Sequence, residues 1–287
     1  MNSPVSREYL IKLVLLGTGT PIARTARHGP SQIVELDGDL VLVDCGPGVL
    51  HRLLESGCDF YSLSHIVLTH LHSDHVSGLA DILWAGWEGR WWSTPPLLIG
   101  PPGTRVFVDR LLSAYEEDIF LRSNEGAMDE TGLRPEIIEV HDGWSSRHGN
   151  WKLTAFSVDH KPVKHAFGFR FEIEARSLVI SGDTRRCDNL IENAKDAGLL
   201  VHEVAWDKGL RLAIEQSTGA DRARFERILS YHTSSLEVGE IARLANVKHL
   251  VLSHLVGGGT PDDYMNDVKQ SFLGEVSVGY DLETFVI

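Results

Sequence analysis

The chain has 287 residues, 43% of them apolar, and its 27 Lys plus Arg face 40 Asp plus Glu for a formal charge of −13. That length and apolar share support one large α/β domain over residues 1–287 and exclude a disordered chain. The acidic balance opposes long polyanions, which need basic surfaces that release counterions, so nucleic acid is not expected as a partner.

In chain order, Leu10 to Leu16 reads as an apolar strand broken by Gly17-Thr18-Gly19-Thr20-Pro21. That loop lacks the Gly-Lys-Ser/Thr and Gly-x-Gly-x-x-Gly endings of nucleotide-phosphate loops. Ser31 to Leu36 and Leu40 to Val43 flank Asp37-Gly38-Asp39, a hairpin signal. Val49 to Glu55 has helical spacing and stops at Gly57. Strand Ser64 to Leu68 follows, then helices from Leu79 to about Trp87 and from Thr104 to about Asp118. Ser123 to Arg134 reads as the least ordered stretch. In the second half, Trp151 to Val158, Ala166 to Ile173, Ser177 to Ile180, Leu199 to Ala205 and Leu250 to Leu252 read as strands. Leu190 to Ala197 reads as a helix. Ser234-Ser235-Leu236-Glu237 is a capping box whose helix has an apolar face including Leu236, Ile241, Ala242 and Leu244. Thr260-Pro261-Asp262-Asp263 starts another helix. Val276 to Val286 alternates like a strand. Strand groups with interspersed helices in both halves predict two sheets packed face to face with helices outside.

No apolar run reaches the roughly 20 residues that span a bilayer, so no membrane association is expected. Met1 to Glu8 lacks the basic and apolar parts of a secretory signal. The three cysteines, Cys45, Cys58 and Cys187, are scattered, which fits a reduced, cytoplasmic compartment and small buried side chains rather than ligands.

The segment Thr69-His70-Leu71-His72-Ser73-Asp74-His75 packs three imidazoles and one carboxylate directly behind the apolar run Ile66-Val67-Leu68. Imidazole nitrogen and carboxylate oxygen are donors that a divalent metal such as zinc prefers. In an extended segment residues i and i+2 point the same way, so His70 and His72 can grip one metal while Asp74 and His75 face a second. Polar residues follow apolar strands at three further places, Asp159-His160, Asp183 and His254. Together they read as a site gathered at one sheet edge. Four of the seven tryptophans, Trp84, Trp87, Trp91 and Trp92, lie within nine residues; they could line a flat apolar pocket, fill a core or form a dimer interface.

The pattern His70-x-His72-x-Asp74-His75 with His160, Asp183 and His254 resembles the metallo-β-lactamase superfamily. Gly17 to Pro21, Asp44-Cys45-Gly46-Pro47-Gly48, His202-Glu203-Val204-Ala205 and His232-Thr233-Ser234 resemble its ribonuclease Z and arylsulfatase-like branch. The resemblance implies an αβ/βα four-layer sandwich with two zinc ions at one edge, although the donor set also accepts manganese or iron. His70, His72 and His160 would hold one metal, Asp74, His75 and His254 the other, and Asp183 would bridge them. Asp44 would orient a ligand imidazole. Asp74 would accept the proton of an attacking hydroxide-forming water, His232 would protonate the leaving oxygen and Glu203 would orient His232. Asp183, where zinc β-lactamases commonly place Cys, argues against antibiotic hydrolysis.

Bacterial-type ribonuclease Z inserts a long basic arm between the positions of His160 and Asp183, where this chain has 22 residues. Such enzymes also follow the last ligand with Phe-Ser-x-Arg-Tyr, where this chain has Leu255-Val256-Gly257-Gly258-Gly259. These departures and the net charge favour hydrolysis of a small ester-type substrate, aromatic if the tryptophans line its pocket, with a phosphodiester, sulfate ester, carboxylic ester or lactone all suiting the site. The alternatives are tRNA 3′-end processing and iron-dependent sulfur or oxygen redox chemistry on the same fold. Relatives imply a homodimer.

Overall fold

A computed structural model describes residues 9–89, 94–126 and 128–287. The first half supplies strands β1 (Ile11–Gly17), β2 (Ser31–Leu36), β3 (Asp39–Val43), β4 (Leu63–Val67), β5 (Leu97–Gly100) and β6 (Ile137–Glu139). The second supplies β7 (Ser145–His148), β8 (Trp151–Ser157), β9 (Phe167–Ile173), β10 (Arg176–Ile180), β11 (Leu199–Ala205), β12 (His249–Val256) and β13 (Glu275–Val278), before β14 (Thr284–Val286) returns to the first sheet. The sheet orders are β14-β1-β2-β3-β4-β5-β6 and β13-β12-β11-β10-β9-β8-β7. Helices α1 (Val49–Glu55), α2 (Ser73–Val76), α3 (Leu79–Glu88), α4 (Thr104–Ala114) and α5 (Glu116–Asn124) belong to the first half. Helices α6 (Asp188–Asn193), α7 (Asp207–Gln216), α8 (Gly219–Tyr231), α9 (Ser235–Leu244) and α10 (Pro261–Val268) belong to the second.

The central strands are apolar on both faces because both faces are covered. On β1, Leu13 and Leu15 join the core between the sheets, while Val14 and Leu16 face the first helical layer. Phe169, Phe171, Leu178, Val201 and Val251 meet that inter-sheet core from the other side. Leu53 of α1 and Leu79, Ile82 and Leu83 of α3 cover the first sheet. Leu190 of α6, Val238 and Ile241 of α9, and Val268 of α10 cover the second. The layers are therefore helix, sheet, sheet, helix: the four-layer αβ/βα sandwich that the sequence pattern implied.

Several local expectations need correction. The helix expected from Thr104 to Asp118 is two helices, broken at Tyr115, whose backbone leaves the helical region at φ −113° and ψ 18°. The stretch expected to be least ordered carries a 3-10 turn at Glu130–Leu133 with Leu133 buried, and the Asp129 carbonyl accepts the Trp87 indole N–H at 2.8 Å. Leu236 and Leu244 are exposed; α9 instead buries Ser235, Val238, Gly239, Ile241 and Ala242, a face of i, i+3, i+4 and i+7 spacing. The closing segment is not one strand, since β13 and β14 lie in different sheets. Trp87 is fully buried and Trp84 packs on Tyr115 with ring centroids 4.5 Å apart. Those two tryptophans fill the first helical layer, and Trp91 and Trp92 lie outside the described residues. No helix among the described residues is long and apolar enough to cross a membrane.

Candidate metal centre

The parallel strands of the two sheets end at one edge of the sandwich, and the chemistry-bearing side chains leave from those ends. Past β4, the Thr69 N–H and hydroxyl both donate to Asp44 Oδ1, at 2.8 and 3.1 Å. The Thr69 carbonyl accepts from Phe167 N–H at 3.0 Å, tying the first sheet to the second beside the site. His70 follows, fully buried, and the short α2 turns Asp74 and His75 inward. From the second sheet, His160 follows β8 and Asp183 follows β10. Gly182 precedes Asp183 at φ +60°, where a Cβ would lie 2.7 Å from the Phe167 carbonyl oxygen, so the close approach of the two strand ends requires glycine. His254 lies within β12 at a bulge: Ser253 pairs with Glu203 and Leu255 with Val204, leaving His254 unpaired at φ +47°. Such an extra residue re-aims its side chain, here toward Asp74 and Asp183.

Asp183 is the centre of the arrangement. Its Oδ2 lies 3.8 Å from His70 Nε2, 3.8 Å from His160 Nε2 and 3.5 Å from His254 Nε2, and its Oδ1 lies 3.4 Å from His75 Nε2. Asp74 Oδ2 lies 3.3 Å from His254 Nε2 and 3.7 Å from His75 Nε2. His160 Nε2 and His72 Nδ1 face each other at 3.3 Å. Among the described residues the donor atoms form three groups, His70-His72-His160-Asp183, Asp74-His75-His254 and an overlapping Asp183-His232-His254, each with its members within 4.8 Å of one another. All of these residues are buried except the exposed His72, and the buried His70 Nε2 and His75 Nε2 have no hydrogen-bond partner. Unpaired buried nitrogens cost free energy unless something binds them, and two clusters of imidazole and carboxylate donors suit two divalent cations. The residues present therefore fit the metals that the sequence pattern implied.

The surroundings fix the imidazoles. Asp44 Oδ2 lies 2.7 Å from His75 Nδ1, and Asp44 itself sits at φ +59° after β3. The His160 Nδ1 is 3.1 Å from the Tyr231 carbonyl. A carboxylate or carbonyl on the far nitrogen leaves the near nitrogen's lone pair for a metal. Burial pushes the pKa of His70 well down and that of His160 down, keeping both neutral as ligands must be. Burial opposes ionisation of Asp183 too, but His254, His75 and His70 outweigh it and hold the carboxyl well below its usual range.

Glu203 and His232 lie beside this cluster. Glu203 is buried on β11, and its Oε1 accepts the backbone N–H groups of Thr184 and Thr233, each at 3.1 Å. His232 follows α8, with Nδ1 at 3.1 Å from the same oxygen, close enough for an ion pair though not aligned as a hydrogen bond. The His232 ring stacks near His254 with centroids 5.4 Å apart. Burial works against its imidazolium, but Glu203, Asp183 and Asp74 outweigh burial and raise its pKa.

The structure thus brings together His70, His72, Asp74, His75, His160, Asp183, Glu203, His232 and His254, while Trp84 and Trp87 lie in the first helical layer instead. Sequence reading missed α7 and α8, which pack on the ends of β11 and β12 through Leu210, Phe225, Ile228 and Leu229. The i, i+3, i+4 spacing of the last three was a usable signal. It also missed Asp281, which accepts the Thr18 and His28 backbone N–H groups at 2.9 and 2.7 Å and so pins the loop after β1 beside the site.

The sequence model of the family described as "Anti-Pycsar protein Apyc1" matches residues 11–232. A ribonuclease Z of Mycobacterium marinum (strain ATCC BAA-535 / M) is 37% identical over 278 residues, covering 95% of this chain and 97% of the relative. The metallo-β-lactamase fold protein YhfI from Bacillus subtilis superposes with a TM-score of 0.75 at 20% identity, covering 97% of this chain and all of that one (100%). The short form of human tRNase Z superposes with a TM-score of 0.69 at 21% identity, covering 96% and 98% of the two chains. These two structures share the fold.

The expectation that nucleic acid is not a partner is overturned by these relatives. The Mycobacterium protein is named for cutting RNA and is covered over 97% of its length, so it carries no long arm that this chain lacks. Net charge misled because it sums the whole surface, whereas a polyanion meets only the rim of the site. That rim carries Arg224 and Arg227 on one side of Thr20, and Arg24 and Arg27 on the other, facing Gly258 and Gly259.

Proposed function

Because the chain belongs to the Anti-Pycsar protein Apyc1 family and to the ribonuclease Z branch of the metallo-β-lactamase superfamily, we propose that it is a two-zinc phosphodiesterase that cuts RNA, with residues 1–287 acting as one hydrolase domain. The metal-dependent hydrolase class is carried by these relatives, whose names offer no ground for the iron redox alternative. The observation that carries the reaction is the pair of donor clusters with Asp183 facing histidines of both, and the Glu203–His232 pair set beside them. RNA as substrate is supported by the full-length similarity to a ribonuclease Z rather than by the small-ester reading.

His70, His72 and His160 would hold one zinc, Asp74, His75 and His254 the other, and Asp183 would touch both. Bound zinc would lower the pKa of water to about 7 and stabilise charge on the phosphoryl oxygens. Asp74, a buried carboxylate held ionised against burial mainly by His254, can accept the proton of the attacking water. Glu203 keeps His232 positively charged and in place, and His232 gives its proton to the leaving oxygen. Two backbone N–H groups, from Thr184 and Thr233, hold the Glu203 oxygen that faces His232 in place.

Turnover of chromogenic aryl phosphodiester, sulfate, carboxylic ester and lactone substrates by zinc-loaded protein tests the bond specificity. The phosphodiester should turn over fastest, and chelation should abolish that activity. A lactone or carboxylic ester preferred over the phosphodiester would refute the proposed class.

A further inference from the structure

A cavity of about 260 Å³ opens directly onto the catalytic edge, with His232 and His254 on one wall and Tyr231, Ile228, Arg224 and Arg227 of α8 on another. No carboxylate lines it. Arg224 and Arg227 are three residues apart and so share one face of α8. Both are exposed. Among the described residues neither guanidinium is hydrogen-bonded or ion-paired, whereas the neighbouring Arg222 is bound to Glu226 at 2.9 Å and Arg211 to Asp207 at 3.1 Å. In a chain with 40 acids and 27 basic residues, two unpaired arginines converging on a carboxylate-free wall next to the reacting groups form an anion site. Apolar Ile228 and the Tyr231 ring complete a wall that suits a nucleobase beside a phosphate.

The proposed reaction uses one phosphate at the metals, and this wall lies beyond it. We propose that Arg224 and Arg227 grip a second, non-scissile phosphate of the RNA strand, so that the α7–α8 hairpin reads the polyanion. Guanidinium groups suit that task because their fork of N–H donors matches phosphate oxygens. The inference rests on RNA being the substrate and goes beyond it by assigning the residues that select a substrate with more than one phosphate.

The test uses zinc-loaded full-length protein, a single-stranded RNA oligonucleotide and an aryl phosphodiester with only one phosphate. R224A/R227A should raise KM for the RNA by about 10- to 100-fold, with a loss at least about tenfold greater than any on the aryl ester. The dependence of log(1/KM) on log salt should lose about 0.7 from its slope, the contribution of one single-strand phosphate. R222A removes a charge from the same helix outside the cavity and should leave RNA cleavage unchanged. Equal losses on both substrates, or an effect of R222A matching that of R224A/R227A, would overturn the assignment. If the wild-type protein cuts only the aryl ester, the RNA reading of the site fails. Anisotropy of the labelled oligonucleotide on wild type and R224A/R227A then decides the arginines' role separately, and equal Kd values would remove it.

Discussion

One buried imidazole lies within β4 and another just past its end, and they differ in one respect. His65, at the middle of the strand, has both nitrogens occupied: Nδ1 lies 2.9 Å from Ser64 Oγ and Nε2 lies 3.1 Å from His148 Nδ1. Its ring also sits edge-on to Trp151 at 5.3 Å. His70, just past the end of the strand, has Nδ1 at 3.0 Å from Thr69 Oγ1, but its Nε2 is unpartnered and aimed at Asp183. Burial lowers the pKa of both. Burial alone therefore does not mark a ligand; an unused lone pair facing other donors does.

The largest effect expected from breaking that distinction is at Asp183. Asp183→Ala removes the carboxylate shared by both clusters, and metal content measured after gel filtration should fall from about two to below about one per chain. Full occupancy in that variant would refute the bridging role. Next comes His232→Ala, which should keep its metal and lower kcat by about 10²- to 10⁴-fold on substrates with poor leaving groups. An aryl phosphodiester with a good leaving group should lose far less, and equal losses on both would argue against an acid role.

A smaller change is expected at Glu203. The raised pKa of His232 keeps the acid protonated at pH values where an ordinary histidine has begun to lose its proton, so kcat should fall as pH rises through that raised value. Glu203→Gln removes the main opposing influence to burial, and the basic limb of the pH–kcat profile should move to lower pH. An unmoved limb would show that the limb belongs to another group.

The smallest effect lies at His65, within β4. Burial, aided by His148, lowers the folded-state pKa of His65 to about 4. The unfolded chain binds that proton near pH 6.5 and the folded chain only near pH 4, so stability should fall as pH drops across that window and level off below it. Urea unfolding of metal-free protein at pH 7 and pH 5 should show wild type losing on the order of 1–2 kcal/mol more than His65→Gln. Identical pH dependence in the two proteins would mean that His65 is already protonated in the fold.

How legible each feature was follows from how local its cause is. His70 to His75 fall in one short segment, so their spacing alone placed two pairs of donors. Asp183 stood out because a glycine that permits close approach precedes it. The bulge at His254 leaves no mark in the sequence, since it depends on the pairing of β11 with β12. The separation of β13 from β14 into different sheets is likewise decided by topology. The α7–α8 hairpin escaped notice because α8 has no fully buried residue, only the half-buried Phe225, Ile228, Leu229 and Tyr231. Net charge gave the wrong partner because a sum over the surface carries no information about where Arg224 and Arg227 stand.

Cleavage of a 3′-extended precursor tRNA by zinc-loaded protein, with metal content measured on the same sample, tests the central claim most directly. About two zinc per chain and scission of a backbone phosphodiester, abolished by chelation and restored by zinc, is the predicted result. Intact RNA under conditions where that same sample hydrolyses an aryl phosphodiester would contradict it.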